Sequence, residues 1–210
     1  MAHRALLLDF DGVILRNAKV RTYVQDACAR LFAEKTRMPP RVAARVNRER
    51  YPLYGHTSIL LTKEFGIPCT VQGFNRDVYE CMVKYDEVKK LLEDQDVDWI
   101  MDMSTALPLD RAYVFSNAPT VWCKTLSDYL GLTGIPEERF LCSDRLQHLK
   151  PHPKAFLTAD KFVSSTVGYF FVDDDPGNIS AALNHKTWDG LLFRDDTGWD
   201  DVASRLKHTK

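Results

Sequence analysis

Short apolar runs, each ending in polar residues, alternate along this chain with segments of helical periodicity. The runs Ala5 to Phe10, Ala112 to Ser116, Arg139 to Cys142, Tyr169 to Asp173 and Leu191 to Phe193 predict five strands. Their continuous apolar character suits strands covered on both faces, as in a parallel α/β sheet. Between the first two strands, residues 17–98 show helical spacing and no good strand, which predicts an inserted helical domain. Val20, Val24, Ala27 and Leu31 form one stripe, Ile59, Leu60 and Phe65 a second, and Val78, Met82 and Tyr85 a third. Pro39-Pro40, Pro52, Gly55 and Gly66-Ile67-Pro68 are expected to break the helices between them. The core is then expected on residues 1–16 and 99–210, closed by a short helix from Trp199 through Leu206.

The composition narrows the class. With 210 residues, 45% hydrophobic and 27% charged, the chain is too apolar for disorder and too interrupted by charge for a membrane protein. A formal net charge of −1 gives no global attraction to DNA, RNA or acidic lipid. Met1-Ala2-His3-Arg4 followed by Ala5-Leu6-Leu7-Leu8 and Asp9 is too short for a signal-peptide core, so a cytoplasmic protein is expected. Cys28, Cys69, Cys81, Cys123 and Cys142 form no C-x-x-C pair and are odd in number. They read as reduced, mostly buried residues rather than as zinc-binding or catalytic thiols.

In open parallel sheets, ligands bind beyond the carboxyl ends of the strands. Three expected strands end there in polar residues: Asp9-Phe10-Asp11-Gly12, Ser116-Asn117 and Asp173-Asp174-Asp175-Pro176-Gly177-Asn178; Lys150 follows another. Taken singly, each has a plainer reading as a turn, a helix cap or a solvated loop. Taken in this order, they suit a phosphate ester. Asp9 can attack phosphorus as a covalent nucleophile. Asp11 can protonate the leaving alcohol and then take a proton from the hydrolytic water. Asp9, Asp173 and Asp174 would repel one another without a divalent cation, and magnesium favours such oxygen ligands. Ser116 and the amide of Asn117 can donate to phosphate oxygens, while Lys150 offsets the negative charge.

These residues resemble the four motifs of the haloacid dehalogenase (HAD) superfamily: Asp9 to Val13, Val114-Phe115-Ser116-Asn117, Leu149-Lys150-Pro151-His152-Pro153 onward to Phe156, and Phe171 to Ile179. The resemblance implies a Rossmann-like, doubly wound α/β core with an inserted α-helical cap. It implies that Asp9 is the nucleophile, Asp11 the general acid and base, and Lys150 the charge-neutralising lysine. For Mg2+ it implies Asp174 as a direct ligand together with Asp9 and the carbonyl of Asp11, with Asp173 and Asn178 holding metal-bound water. Tyr51, Tyr54 and His56 lie in a segment that resembles the Tyr-x-x-Tyr-Gly stretch of the pyrimidine 5'-nucleotidase branch, which implies nucleoside monophosphates as substrates. Gly12-Val13 and Ser58-Ile59-Leu60 depart from that branch. The expectation is a magnesium-dependent phosphatase of a small-molecule phosphate ester, a monomer or homodimer, with no nucleic-acid polymer or membrane partner. A sugar phosphomutase and a catalytically silent binding or regulatory protein are the alternatives.

Overall fold

The computed structural model describes residues 4–163 and 167–208. Met1, Ala2 and His3, the start of the amino-terminal stretch read above, lie outside them. The chain divides into two compact units, Asn17–Leu92 and the remainder, Met1–Arg16 with Glu93–Lys210.

The larger unit is built on five strands, β1 (Ala5–Leu8), β2 (Ala112–Phe115), β3 (Phe140–Leu141), β4 (Tyr169–Asp173) and β5 (Trp188–Leu192), all parallel and ordered β3-β2-β1-β4-β5. Leu6 pairs with Ala112 on one side and Phe170 on the other, and Leu8 with Val114 and Val172. Every residue of β1 is buried, as expected of a central strand flanked on both edges and covered on both faces. The carboxyl ends of β2, β1 and β4 therefore lie side by side. β1 is shorter than the apolar run because the chain turns back at once: Leu15 N–H donates to the Phe10 carbonyl and Gly12 N–H to that of Leu15, each at 2.8 Å. Gly12 sits at φ 96°, a conformation side chains disfavour. β5 lies earlier than expected, on Trp188–Leu192, and Trp188 packs there against Phe115, Phe156 and Phe171.

The helical unit holds α1 (Ala18–Thr36), α2 (Pro40–Tyr54), α3 (Thr57–Phe65), α4 (Val71–Asn75), a π-helical turn over Arg76–Met82 and α5 (Tyr85–Leu91). Gly55 and Gly66 end α2 and α3 in the left-handed conformation, as the glycine breaks predicted. Pro52 instead lies inside the last turn of α2. The expected Val78, Met82, Tyr85 stripe is not one helix either, since Val83 and Lys84 separate the π-helical turn from α5. Across residues 71–91 the buried apolar side chains are Phe74, Val78, Tyr79, Val83 and Val88.

In the larger unit, α6 (Asp94–Ala106), α7 (Thr120–Tyr129), α8 (Pro153–Phe162), α9 (Pro176–Leu183) and α10 (Trp199–His208) flank the sheet. The helical unit was expected to run to residue 98; the compact unit ends at Leu92, because Glu93 and Asp96 form a capping box that starts α6. No helix among the described residues is long and apolar enough to cross a membrane. Of the five cysteines only Cys123 and Cys142 are buried; Cys28 and Cys69 are half-buried and Cys81 is exposed. The net charge of −1 is the sum of two unlike parts. The helical unit carries fourteen Lys and Arg against eight Asp and Glu, the larger unit fourteen against twenty-one.

Candidate active site

β1 delivers Asp9 to the centre of the sheet end. Its N–H continues the ladder to the Val172 carbonyl at 2.9 Å, and its Oδ1 accepts from Phe10 N–H at 2.7 Å, which turns the carboxylate at the strand tip. From β4 comes Asp173, fully buried, followed by Asp174. Asp9, Asp173 and Asp174 each offer an oxygen within 4.8 Å of the others.

Lys150 joins the two strands electrostatically. Its Nζ lies 2.6 Å from Asp173 Oδ2 and 3.1 Å from Asp9 Oδ1, and the side chain is almost wholly buried. The ammonium also sits 5.1 Å and 5.0 Å from the ring centroids of Phe115 and Phe171, whose faces favour a cation. Burial alone would lower the lysine pKa, but the carboxylates of Asp173 and Asp9 reverse this and hold it above the usual value. Burial pushes the Asp9 carboxyl well up; Lys150 opposes this, while Asp173, Asp174 and Asp11 add to it. One ammonium does not offset this much negative charge.

Asp173 is held from several sides. Its Oδ1 accepts from the N–H of Asp175 at 2.8 Å, and Asn178 Nδ2 reaches both oxygens at 3.1 Å. Asp175 is the N-cap of α9, accepting from the N–H groups of Gly177 and Asn178. Its acidity in the sequence run thus serves the helix start.

Ser116 is buried at the end of β2, and its Oγ accepts from Ala118 N–H at 3.1 Å, which leaves the O–H hydrogen to be donated elsewhere. The Asn117 side chain is committed to the lysine loop: Nδ2 donates to the Lys150 carbonyl at 2.8 Å and Oδ1 accepts from Lys150 N–H at 2.9 Å. The pair of bonds fixes the backbone from which Lys150 projects.

Two tryptophans escaped the sequence reading. Trp122 Nε1–H donates to Asp11 Oδ1 at 3.1 Å, and Trp99 Nε1–H donates to the Val13 carbonyl at 3.1 Å. Both act on the turn that carries Asp11. In sequence they are ordinary apolar helical positions, and no local pattern distinguishes them.

Tyr51, Tyr54 and His56 all belong to the helical unit. Tyr51 is exposed, and Tyr54 donates its hydroxyl to Glu64 Oε1 at 3.0 Å, a bond that also raises the phenol pKa. His56 is buried as the N-cap of α3: Nδ1 accepts from Ser58 N–H at 3.1 Å, and Nε2 faces Asn75 Oδ1 at 2.9 Å. Both ring nitrogens are used within the unit.

The donor set suits magnesium chemically, being entirely oxygen, acidic and only partly neutralised by Lys150. No protein-family model and no curated protein sequence matches this chain. Solved structures do. The chain is similar to a HAD family enzyme from Bacteroides thetaiotaomicron, with 16% identity, a TM-score of 0.51 and coverage of 96% of this chain and 98% of that one. It is also similar to a predicted HAD-like family hydrolase from Porphyromonas gingivalis, with 16% identity, a TM-score of 0.54 and 100% coverage of both chains. At such identity the likeness is one of fold, and this chain has the HAD-like α/β fold of those two proteins.

Proposed function

We propose that the protein is a magnesium-dependent phosphatase that hydrolyses a small-molecule phosphate monoester through an aspartyl-phosphate on Asp9. The reading is carried by the meeting of Asp9, Lys150, Asp173 and Asp174, with Lys150 Nζ 3.1 Å from Asp9 and 2.6 Å from Asp173. A buried lysine shared by two carboxylates, beside a third, exceeds what a turn or a solvated loop requires. It suits a site that must hold an anionic nucleophile and then a phosphoryl group.

An Asp9 oxygen attacks phosphorus, and the bond from phosphorus to the ester oxygen breaks as Asp11 gives that oxygen a proton. Water then attacks the phosphorus and passes its proton to Asp11. The bond to Asp9 breaks, and inorganic phosphate leaves. Lys150 favours the anionic form of Asp9, a task the bound cation would share, and the Ser116 hydroxyl and the Asn117 main-chain N–H donate to phosphate oxygens. Asp9, Asp174 and the Asp11 carbonyl would hold magnesium, with Asp173 and Asn178 behind a water on it; the ion supplies charge neutralisation for the cluster and the phosphate.

Nucleoside monophosphates are the proposed substrate class, resting on the Tyr51 to Thr57 segment. Tyr51 and Tyr54 carry the preference, while His56 supports it only through the helix that it caps. The proposal further takes the protein as cytoplasmic, a monomer or homodimer, without a nucleic-acid polymer or membrane partner.

The test is phosphate release from nucleotides, sugar phosphates, small acid phosphates and p-nitrophenyl phosphate, with magnesium and with excess EDTA. Release that requires magnesium is expected. No release from any ester, or release untouched by EDTA, would overturn the reading.

A further inference from the structure

We propose that Trp122 is a positioning residue for Asp11, orienting the carboxyl that exchanges protons with the leaving group and with water. The inference rests on the phosphatase reading above and adds a residue to it.

The Asp11 main chain is fixed by its turn. Gly12 N–H donates to the Leu15 carbonyl and Leu15 N–H to that of Phe10, both at 2.8 Å, and Val13, Ile14 and Leu15 are buried beneath. These bonds act on the main chain, whereas the side-chain torsion decides where the Asp11 oxygens point. The Trp122 indole N–H meets Asp11 Oδ1 at 3.1 Å, 111 residues away in sequence.

Trp122 is a rigid support. It is completely buried in the first turns of α7, whose start is tied down by Asp144, which accepts from both the N–H and the hydroxyl of Thr120. The loop before α7 is anchored as well, with Ser143 N–H donating to the Ala118 carbonyl at 3.0 Å. A buried indole N–H needs an acceptor, so the bond constrains both partners. In a protonated carboxyl the carbonyl oxygen is the better acceptor, so the indole bond at Oδ1 favours the acid proton on the other oxygen. The proton to be donated therefore sits on Oδ2, and the carboxyl holds one orientation for giving it up. Proton transfer depends on such alignment, because a general acid acts only within hydrogen-bond reach of the departing atom.

Leaving groups separate this role from simple core filling. kcat/KM covers only the steps up to cleavage of the ester bond, so it is blind to the later attack of water. p-Nitrophenol departs as a stable anion and needs little help from an acid, whereas an alkyl alcohol needs the proton. Trp122→Phe keeps an aromatic ring and removes the donor. It should lower kcat/KM for an alkyl phosphate about tenfold or more, and that for p-nitrophenyl phosphate less than about threefold. In an Asp11→Asn background, Trp122→Phe should cost nothing further on the alkyl ester. Equal losses on both esters, no loss on either, or an undiminished loss in the Asp11→Asn background would overturn the proposal.

A second measurement needs no tryptophan variant. The chain has four tryptophans, hence four indole N–H signals in a proton–nitrogen NMR spectrum. In Asp11→Ala one buried indole signal should move and exchange faster with solvent; four unchanged signals would overturn the proposal. A wild-type protein inactive on both esters would remove the phosphatase reading, and the NMR comparison would still test the Trp122–Asp11 contact separately.

Discussion

Lys150→Met removes the ammonium at the centre of the site while keeping an unbranched side chain of similar length. Asp173 is then left wholly buried and Asp9 nearly so, without the cation that lies 2.6 Å and 3.1 Å from them. Removing one partner of a buried pair costs about 3–5 kcal/mol, because the orphaned charge stays desolvated. For a chain of this size each kcal/mol shifts the melting temperature by about 2–4 °C, so the variant should melt about 6–20 °C lower in EDTA. Adding Asp173→Asn should return part of the loss, with a coupling of about 0.5–3 kcal/mol in a double-mutant cycle. Turnover of p-nitrophenyl phosphate should fall about 10²–10³-fold, the usual effect of removing one preorganised electrostatic group. Thermal denaturation followed by circular dichroism, with parallel kinetics in magnesium, gives both numbers. A melting temperature within about 2 °C of wild type would refute the claim that Lys150 neutralises this cluster.

Two further perturbations test other parts of the account. His56 is neutral and buried, its pKa lowered by burial to about 4, whereas an unfolded histidine titrates near 6.5. The unfolded chain thus binds a proton that the folded chain refuses at this residue, so the contribution of His56 to stability should fall as pH drops from about 6.5 to about 4, by about 3 kcal/mol at the acid end, and be constant above 6.5. Urea midpoints at several pH values should show wild type losing stability toward acid pH relative to His56→Gln, with parallel profiles above 6.5; profiles parallel at every pH would refute it. Tyr54→Ala should change the ranking of phosphate esters by kcat/KM more than it changes hydrolysis of p-nitrophenyl phosphate, and a uniform loss would make Tyr54 a packing residue.

The elements most legible in the sequence are those whose burial is continuous. Ala112–Phe115 and Tyr169–Asp173 are unbroken apolar runs, and both became strands close to where the pattern put them. β5 was displaced because Trp188-Asp189-Gly190 does not read as an apolar run. It pairs with β4 nonetheless, and Trp188 packs its ring against Phe115, Phe156 and Phe171. The π-helical turn at Arg76–Met82 was hidden, as hydrophobic spacing cannot distinguish helices that differ by one residue per bond. At the site, Asp9, Asp173, Asp174 and Lys150 could be named because strand ends and order suggested their convergence, which the structure brings about. Long-range hydrogen bonds could not be named. Asn117 to Lys150 spans 33 residues and Trp122 to Asp11 spans 111, and neither carries a local signature.

The covalent intermediate is the claim on which the mechanism stands. The direct measurement is rapid quenching of the protein during turnover of a phosphate ester labelled on phosphorus, followed by mapping of the label. The account predicts label on the peptide that contains Asp9, lost on treatment with hydroxylamine as an acyl phosphate should be, and absent from a folded but inactive Asp9→Asn protein. Steady phosphate release by Asp9→Asn, or label carried by another residue, would contradict it.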